Sequence, residues 1–362
     1  MHNGRMKSNN HWMETLGLRW PVVQAPMAGS QGAGLAVAVS QAGGLGSLPA
    51  ATLSLEALDV ALQTLKASGL PYNVNAFAHA EPAHDAAREA AWLAALQPLA
   101  QQWGVALPTG PAQAARQPFS QAVLEVLARY KPPVVSFHFG LPKAEWVEAI
   151  KSWGGQVWSS ATTVDEGLWL QAQGCDVVVA QGLEAGGHRG HFLRADLQDQ
   201  MGLMSLLPQL VAALQVPVLA AGGVVHATSV QAAKRLGAAG VQVGTAYLYC
   251  PEATVHPLHK AALQSARAGR TQLTNLFTGR PARGIVNGLM QALGGQGAEA
   301  LSGVAPAFPL ATHALVPLRA AAEAQGRDDF TPLWAGQSAA LCRPQSAAEL
   351  TLQLGRAWQD LK

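Results

Sequence analysis

A glycine-rich loop that carries histidine follows a short apolar run near the middle of the sequence. Residues 177–180 (VVVA) have the composition of a buried β-strand, and Gln181 ends that run. The loop after it contains His188 beside Gly186 and Gly187, and glycine allows positive φ and close approach of the backbone to a ligand. Histidine changes its protonation state near neutral pH, so His188 is suited to proton transfer or to pairing with an anion. The pattern predicts a catalytic loop with His188 as its reactive group.

The other charged residues of this loop are expected to support it. We predict that Glu184 and Arg189 orient or brace the loop, and that His191 is a weaker candidate for chemistry. The histidines for which we predict structural roles are His79, His84, His226, His256, His259 and His313.

Two later strand-like runs also end in residues that could bind a ligand. Residues 220–223 (AAGG) and 242–245 (QVGT) follow apolar segments, and loops at these places in α/β barrels often hold a phosphate through backbone N–H groups. Glycine avoids a Cβ clash with phosphate oxygens, and a threonine hydroxyl adds a donor. The predicted phosphate site comprises Gly222, Gly223, Gln242, Val243, Gly244 and Thr245.

Polar side chains stand at the ends of several other predicted strands. Gln24 and Met27 follow the first strand, Asn75 lies in the third, His138 ends the fourth and Gln181 ends the sixth. Amide side chains offer paired donors and acceptors, which suit the polar edge of a flavin ring. Their placement at successive strand ends predicts a bound ring system.

Strand and helix patterns alternate about eight times before residue 250, which predicts a (β/α)₈ TIM barrel of the α/β class. An open doubly wound sheet would also alternate, but no GxGxxG follows the first strand. We predict a barrel over residues 14–250, with an insertion at about 78–120. Residues 251–362 are expected to form a mainly helical extension that covers the active site, with helices at 258–268, 281–293, 309–325 and 346–361.

Composition limits the partners of the chain. Its 362 residues are 49% hydrophobic and 13% charged with a net charge of +2, which argues against a nucleic-acid partner. The three cysteines show no spacing typical of a metal site or disulfide framework, and no run of about 18 apolar residues predicts a membrane span. We therefore expect a cytoplasmic protein without a metal, a monomer or homodimer. Residues 1–13 are expected to be a disordered leader, with Met13 as an alternative start.

Several segments together resemble the nitronate monooxygenase family, formerly called 2-nitropropane dioxygenases. The resemblance spans about residues 18–341. Within the family, the chain is similar to the class whose members carry both the VSFHFG and the EAGGHRG motifs. The segments that carry it are QAPMAGS (24–30), GGLGSLPA (43–50), NVNAF (73–77), VVSFHFG (134–140), QGLEAGGHRG (181–190), PVLAAGGV (217–224), GVQVGTAYL (240–248), FTGRPARGIVN (277–287) and LWAGQSAAL (333–341).

The resemblance implies an FMN-bound TIM barrel that oxidises an alkyl nitronate, such as propionate 3-nitronate, with O₂ to a carbonyl compound and nitrite or nitrate. It implies that His188 is the active-site histidine, which stabilises the nitronate when protonated or acts as a base towards a neutral nitroalkane. It also implies that His138 lies near the substrate. The implied FMN-binding residues are Met27, Asn75, Gln181, Gly186, Gly187, Gly222, Gly223, Gln242, Val243, Gly244 and Thr245.

The chain departs from this class in its aromatic residues. The class places tyrosines near flavin and substrate, whereas this chain has only four tyrosines, and residues 307–315 carry Phe308 and His313 where a tyrosine is expected. The departure concerns the substrate pocket rather than the barrel.

Two other functions remain open from the residues. An NADH-dependent FMN reductase of quinones or of enoyl-acyl carrier protein shares the AGGH pattern of the central loop, although VSFHFG and FTGRPARGIVN favour the monooxygenase. A flavin-binding protein without turnover is a third hypothesis, against which the intact His188 argues.

Overall fold

The computed structural model describes residues 11–114, 116–294 and 301–360, and its central feature is a closed parallel barrel. The strand order is β1-β9-β8-β6-β5-β4-β3-β2, and Val23 of β1 bridges Leu45 just before β2, which closes the ring. The predicted TIM barrel is therefore confirmed. The strands are β1 (Val22–Gln24), β2 (Gly46–Pro49), β3 (Tyr72–Phe77), β4 (Val134–His138), β5 (Gln156–Ala161), β6 (Val177–Gln181), β7 (Gly187–His188), β8 (Val218–Ala221), β9 (Gly240–Val243), β10 (Thr271–Thr274) and β11 (Ala282–Ile285).

Helices cover the outside of the barrel because the faces of its strands are almost wholly buried and apolar. Many begin at a side chain that accepts a hydrogen bond from the first turn, as Ser54 does from Ala57 and Thr163 does from Glu166. The barrel helices are Ala33–Gln41, Leu55–Ala67, Gln121–Tyr130, Ala144–Ser152, Val164–Ala172, Leu203–Ala213 and Ala227–Arg235, and the helices after residue 250 are Pro257–Leu263, Gly288–Leu293, Thr312–Ala324 and Ala347–Gln359.

The last helix returns to the barrel. Ala347–Gln359 starts at a Ser346–Glu349 capping box and buries Leu350 and Leu354 in the same cluster as Trp20. A Cβ on Gly355 would approach Trp20 to 2.3 Å, so glycine is needed for this contact. Our expectation that the whole of 251–362 covers the active site therefore differs from the structure, because this helix packs on the outside of the barrel.

The insertion and the extension form a common hydrophobic cluster. Helix Ala86–Trp103 lies within the expected insertion, and its Trp92 and Leu96 are buried together with Phe277, Leu318 and other residues of the extension. The indole nitrogen of Trp92 donates to the carbonyl oxygen of Ala311 at 3.2 Å. Two segments that are far apart in sequence thus build one unit beside the barrel.

A three-stranded antiparallel sheet joins this unit to the histidine loop. Strand β11 pairs with β10 on one side and with β7 on the other, so that Ala282 lies opposite His188. The helix expected at 281–293 is wrong in its first part, where β11 lies; only Gly288–Leu293 is helical, starting at the N-cap Asn287. The pairing partner of β11 is distant in sequence, so helical periodicity could not reveal it.

The amino-terminal part of the described chain packs against the core of the barrel. Residues 1–10 of the expected leader lie outside the described residues, but residues 11–15 are helical. Trp12 is 3% exposed and packs edge-on against Trp158, with 5.4 Å between ring centroids. The expected disorder thus does not extend to residues 11–13, because Trp12 is part of the core. Among the described helices, none combines the length and hydropathy that crossing a membrane requires.

Candidate active site

One cavity opens at the carboxyl ends of the barrel strands, and nearly all the predicted site residues line it. Gln24 and Val243 are the exceptions, because they are 0% and 1% exposed; the Gln24 amide instead pairs with Gln31. The predicted residues that line the cavity are Met27, Asn75, His138, Gln181, Gly186, Gly187, His188, Gly222, Gly223, Gln242, Gly244 and Thr245.

Buried charges hold the histidine loop in place. The fully buried Arg189 donates from Nε to Gln200 Oε1 at 2.7 Å and from its two Nη atoms to the carbonyl oxygens of Gly182 and Gln181 at 2.7 and 2.8 Å. Glu184 accepts from the backbone N–H of Leu203, at the start of the next helix. Both residues therefore brace the loop, as we predicted.

His188 keeps one ring nitrogen for a ligand. Its Nε2 lies 2.9 Å from Thr278 Oγ1, and the Thr278 hydroxyl donates to the carbonyl oxygen of Arg280 at 3.4 Å, so the threonine oxygen is free to accept the Nε2 proton. No hydrogen bond from the described residues reaches Nδ1. Burial, followed by the nearby charge of Arg116, lowers the pKa of His188 well below its usual value. The imidazole is therefore neutral at neutral pH, with Nδ1 as the basic nitrogen.

His138 is paired at both ring nitrogens. Its Nε2 lies 3.0 Å from the carbonyl oxygen of His188, which can only accept, so Nε2 carries the proton and Nδ1 accepts from the Ser160 hydroxyl at 2.6 Å. Burial lowers the pKa of His138 to about 4. A Cβ on Gly190 would lie 2.7 Å from His138 Cε1, which explains the glycine there. His138 thus positions the backbone of His188 and presents its ring, rather than a free nitrogen, to the cavity.

The amide residues are also held by the protein. Gln181 donates from Nε2 to the carbonyl oxygen of His188 at 2.9 Å and accepts from the N–H of Gly190 at 2.8 Å. Asn75 donates from Nδ2 to Ser136 Oγ at 2.9 Å. Each amide retains unused hydrogen-bonding capacity toward the cavity, which suits the polar edge of a flavin.

The glycine pair and the threonine predicted to bind phosphate meet a segment that sequence analysis did not assign to the site. Gly222 and Gly223 both have positive φ, of 109° and 73°, after β8. Thr245 Oγ1 accepts from the N–H of Gly336 at 2.9 Å, which leaves its own proton as a donor, and Ser338 Oγ donates to the carbonyl oxygen of Gly223 at 3.2 Å. Backbone turns and hydroxyls can bind a phosphate group, and the one carboxylate beside them among the described residues, that of Glu184, is already paired with the N–H of Leu203.

Phenylalanines take the place of the expected tyrosines. Phe77, Phe139 and Phe308 form one buried cluster, and the Phe308 ring centroid lies 5.3 Å from that of His188. None of the four tyrosines lines the cavity. Of the three, Phe77 lines the cavity, so the cluster supplies apolar surface there but no phenolic proton.

Sequence analysis missed the residues that distant segments bring to the cavity. Trp334 lies 5.6 Å from the His188 ring, and Gly336 and Ser338 reach the glycine pair from the same segment. The LWAGQSAAL match was the only signal for them. Arg116 also lines the cavity, and nothing in the proline- and alanine-rich stretch around it indicated a role.

The fold and the site define the chain as a (β/α)₈ barrel with a histidine in a cavity at the carboxyl ends of its strands. A family model described as nitronate monooxygenase matches residues 9–356. The chain belongs to the nitronate monooxygenase family, whose members are flavin-dependent oxidoreductases.

Curated relatives and solved structures agree with this assignment. The chain is 40% identical to the nitronate monooxygenase of Pseudomonas aeruginosa over 337 residues, covering 92% of this chain and 95% of the relative. It is 38% identical to that of Paraburkholderia phytofirmans, covering 94% and 93%. A crystal structure of nitroalkane oxidase from Streptomyces ansochromogenes has a TM-score of 0.85 at 35% identity, covering 96% of this chain and 98% of that one. FabK from Thermotoga maritima, with a TM-score of 0.69 at 21% identity over 96% and 95%, shares the fold.

Proposed function

We propose that this protein is an FMN-dependent nitronate monooxygenase that oxidises alkyl nitronates with O₂ to a carbonyl compound and nitrite or nitrate. The observation that carries the proposal is the placement of His188 in a cavity lined by glycines and amides, with Nε2 paired to Thr278 and with no partner for Nδ1 among the described residues. Propionate 3-nitronate is the proposed substrate. A cytoplasmic location and a monomer or homodimer, with no nucleic-acid or membrane partner, are part of the same proposal.

The residues that would hold FMN divide by chemistry. Gly222, Gly223, Gly244 and Thr245 would hold the phosphate through backbone N–H groups and a hydroxyl. The amides Asn75, Gln181 and Gln242 would bind the polar edge of the ring, with Met27, Gly186 and Gly187 along the cavity wall and Val243 through its backbone. When bound, FMN supplies the electron transfer and the reaction with O₂.

The chain's own residues orient the substrate and manage the proton. His188 Nδ1 would accept a hydrogen bond or remove the α-proton from a neutral nitroalkane, while the Thr278 oxygen holds the proton on Nε2. This arrangement favours the base role over a permanently protonated His188. The phenylalanine cluster would exclude water from the reacting carbon.

Oxygen uptake tests the proposal directly. The purified flavoprotein is given propionate 3-nitronate without NADH, while O₂ consumption and nitrite are followed and the released cofactor is identified chromatographically. We expect uptake with nitrite release and FMN as the cofactor. Absence of uptake, together with rapid bleaching of the flavin by NADH, would assign the chain to the quinone or enoyl reductases instead. Retained flavin that reacts with neither would indicate a binding protein without turnover.

A further inference from the structure

Arg116 points an unsatisfied guanidinium at the cavity. It lies in the insertion and lines the cavity wall, yet its Nε is buried without a hydrogen-bond partner among the described residues. The guanidinium makes one long hydrogen bond among the described residues, from Nη1 to Thr312 Oγ1 at 3.4 Å. Because the Thr312 hydroxyl donates to the carbonyl oxygen of Phe277 at 2.8 Å, its oxygen can only accept from the arginine. Within the described residues, no carboxylate forms an ion pair with Arg116.

Arg116 is a partly buried cation, and its Nε is enclosed by the protein. Burial, followed by the charge of Arg319, lowers its pKa to about 10, so the guanidinium stays protonated at neutral pH. The titratable groups coupled to its charge are Arg319, His188 and His79, and none of them is an anion. A partly desolvated cation without an anion is unfavourable. The site is therefore more favourable when an anion binds to Arg116.

The phosphate of a flavin is not that anion, because the barrel separates the two places. The segment that contains Arg116 returns to the end of β3, where the N–H of Phe119 donates to the carbonyl oxygen of Phe77 at 2.7 Å. The glycine pair follows β8, and in the cyclic order β3-β4-β5-β6-β8 these strands lie four positions apart in a ring of eight. Strands four positions apart are diametrically opposite, so Arg116 faces the substrate region beside His188.

We propose that Arg116 is the specificity-determining residue that binds a carboxylate at the far end of the substrate, with Thr312 as its positioning residue. The inference rests on the proposed function and deepens it, because it selects nitronates that carry a second negative charge. Nε and one Nη of a guanidinium match the two oxygens of a carboxylate, and such charge-assisted pairs are among the strongest hydrogen bonds in proteins. His188 then remains available as a base towards the α-proton of a neutral nitroalkane, while the arginine supplies the positive charge that the carboxylate requires.

A matched pair of substrates tests the role of Arg116. Arg116→Met and Arg116→Lys are compared with the unsubstituted holoenzyme on the nitronates of 3-nitropropionate and 1-nitropropane, which differ by a carboxylate in place of a methyl group. For Arg116→Met we expect kcat/KM for the carboxylated nitronate to fall on the order of 10- to 100-fold, mainly through KM. The value for the propane nitronate should stay within about threefold, and Arg116→Lys should restore part of the loss.

Arg129→Met is the control variant, because Arg129 lies on the surface, 63% exposed, in an ion pair with Asp59. It should change neither substrate's kinetics. Equal losses on both nitronates with Arg116→Met would show a merely structural role and overturn the inference, as would unchanged discrimination between the two. Flavin content and the unfolding midpoint of each variant establish that it is folded.

A binding measurement keeps this inference separate from the proposed function. Isothermal titration of the holoenzyme with butyrate and with butyramide compares a carboxylate with a neutral amide at the same chain length. We expect butyrate to bind more tightly, and Arg116→Met to abolish the difference. If the unsubstituted enzyme oxidises neither nitronate, the proposed function fails, while this result still supports an anion site at Arg116. Equal binding of butyrate and butyramide by the unsubstituted protein would overturn the anion site itself.

Discussion

The two sides of the cavity differ in how their polar groups are satisfied. On the glycine side, which comprises Gly222, Gly223, Thr245, Gly336 and Ser338, side-chain hydroxyls already hydrogen-bond to the backbone of neighbouring segments. The aromatic side comprises Phe77, Arg116 and His188 of the cavity wall, together with His79, Phe139 and Phe308, which pack behind Phe77. There, buried nitrogens of His79 and Arg116 have no partner among the described residues.

The difference indicates what each side is for. Groups that are paired within the protein hold a shape before any ligand arrives, which is what a resident cofactor requires. Unpaired groups destabilise the free protein but gain partners when a ligand binds, so they favour the ligand that satisfies them. The glycine side is thus suited to constant occupancy, and the aromatic side to selecting a substrate.

The largest loss of turnover is expected from replacing His188. His188→Asn removes the basic Nδ1, and we expect turnover of a neutral nitroalkane to fall by about 10²- to 10⁴-fold while flavin is retained. Turnover of the corresponding preformed nitronate should fall less, because no proton has to be removed. Steady-state kinetics with both forms and the flavin-to-protein ratio check this. Unchanged turnover of the neutral nitroalkane would contradict the base role.

Replacing Arg189 should instead damage the support of the loop. Arg189→Met leaves the carbonyl oxygens of Gln181 and Gly182 and the Gln200 amide without their donor. We expect the free energy of unfolding to fall by about 3 kcal/mol, with loss of flavin. Urea unfolding measures the first and absorbance the second. The surface variant Arg129→Met should change stability by less than about 0.5 kcal/mol, and an equal effect of both would refute the bracing role.

Acid should destabilise the fold through its buried histidines. Burial lowers the pKa of His138 from 6.5 to about 4, so only the unfolded chain takes up a proton as pH falls through 6.5. Stability is complete above that value and falls as the pH drops towards 4, by about 2 kcal/mol for this residue at pH 5. Urea unfolding between pH 7.5 and 5 measures the slope. His138→Gln should make the slope shallower, and an unchanged slope would count against the neutral, buried state.

The smallest effect is expected from the partner of His188. Thr278→Val removes the oxygen that accepts the Nε2 proton, so the protonated nitrogen is no longer determined. We expect about a 10-fold loss of turnover with a neutral nitroalkane, little change in flavin content, and recovery in Thr278→Ser. Recovery in serine distinguishes the hydroxyl from the methyl group, and a serine variant as poor as the valine variant would disprove the positioning role.

The sequence by itself was enough to predict the barrel and most of the cavity-lining residues at the ends of its strands. Strand periodicity, glycines after strands and polar residues at strand ends are local patterns, and parallel strands bring their carboxyl ends to one face. Met27, Asn75, Gln181 and His188 could therefore be placed together from their positions in the chain. Arg189 could be recognised as a brace by the same argument.

Only the tertiary structure decided what surrounds the substrate. Thr278 lies 90 residues from His188, and Thr312 lies 196 residues from Arg116, so neither contact has a local signature. The same holds for the β7–β11 pairing and for the return of Ala347–Gln359 to the barrel. Hydrophobic periodicity predicts which face of a segment is buried, but it does not predict which other segment packs against that face. The packing partner depends on how the whole chain folds.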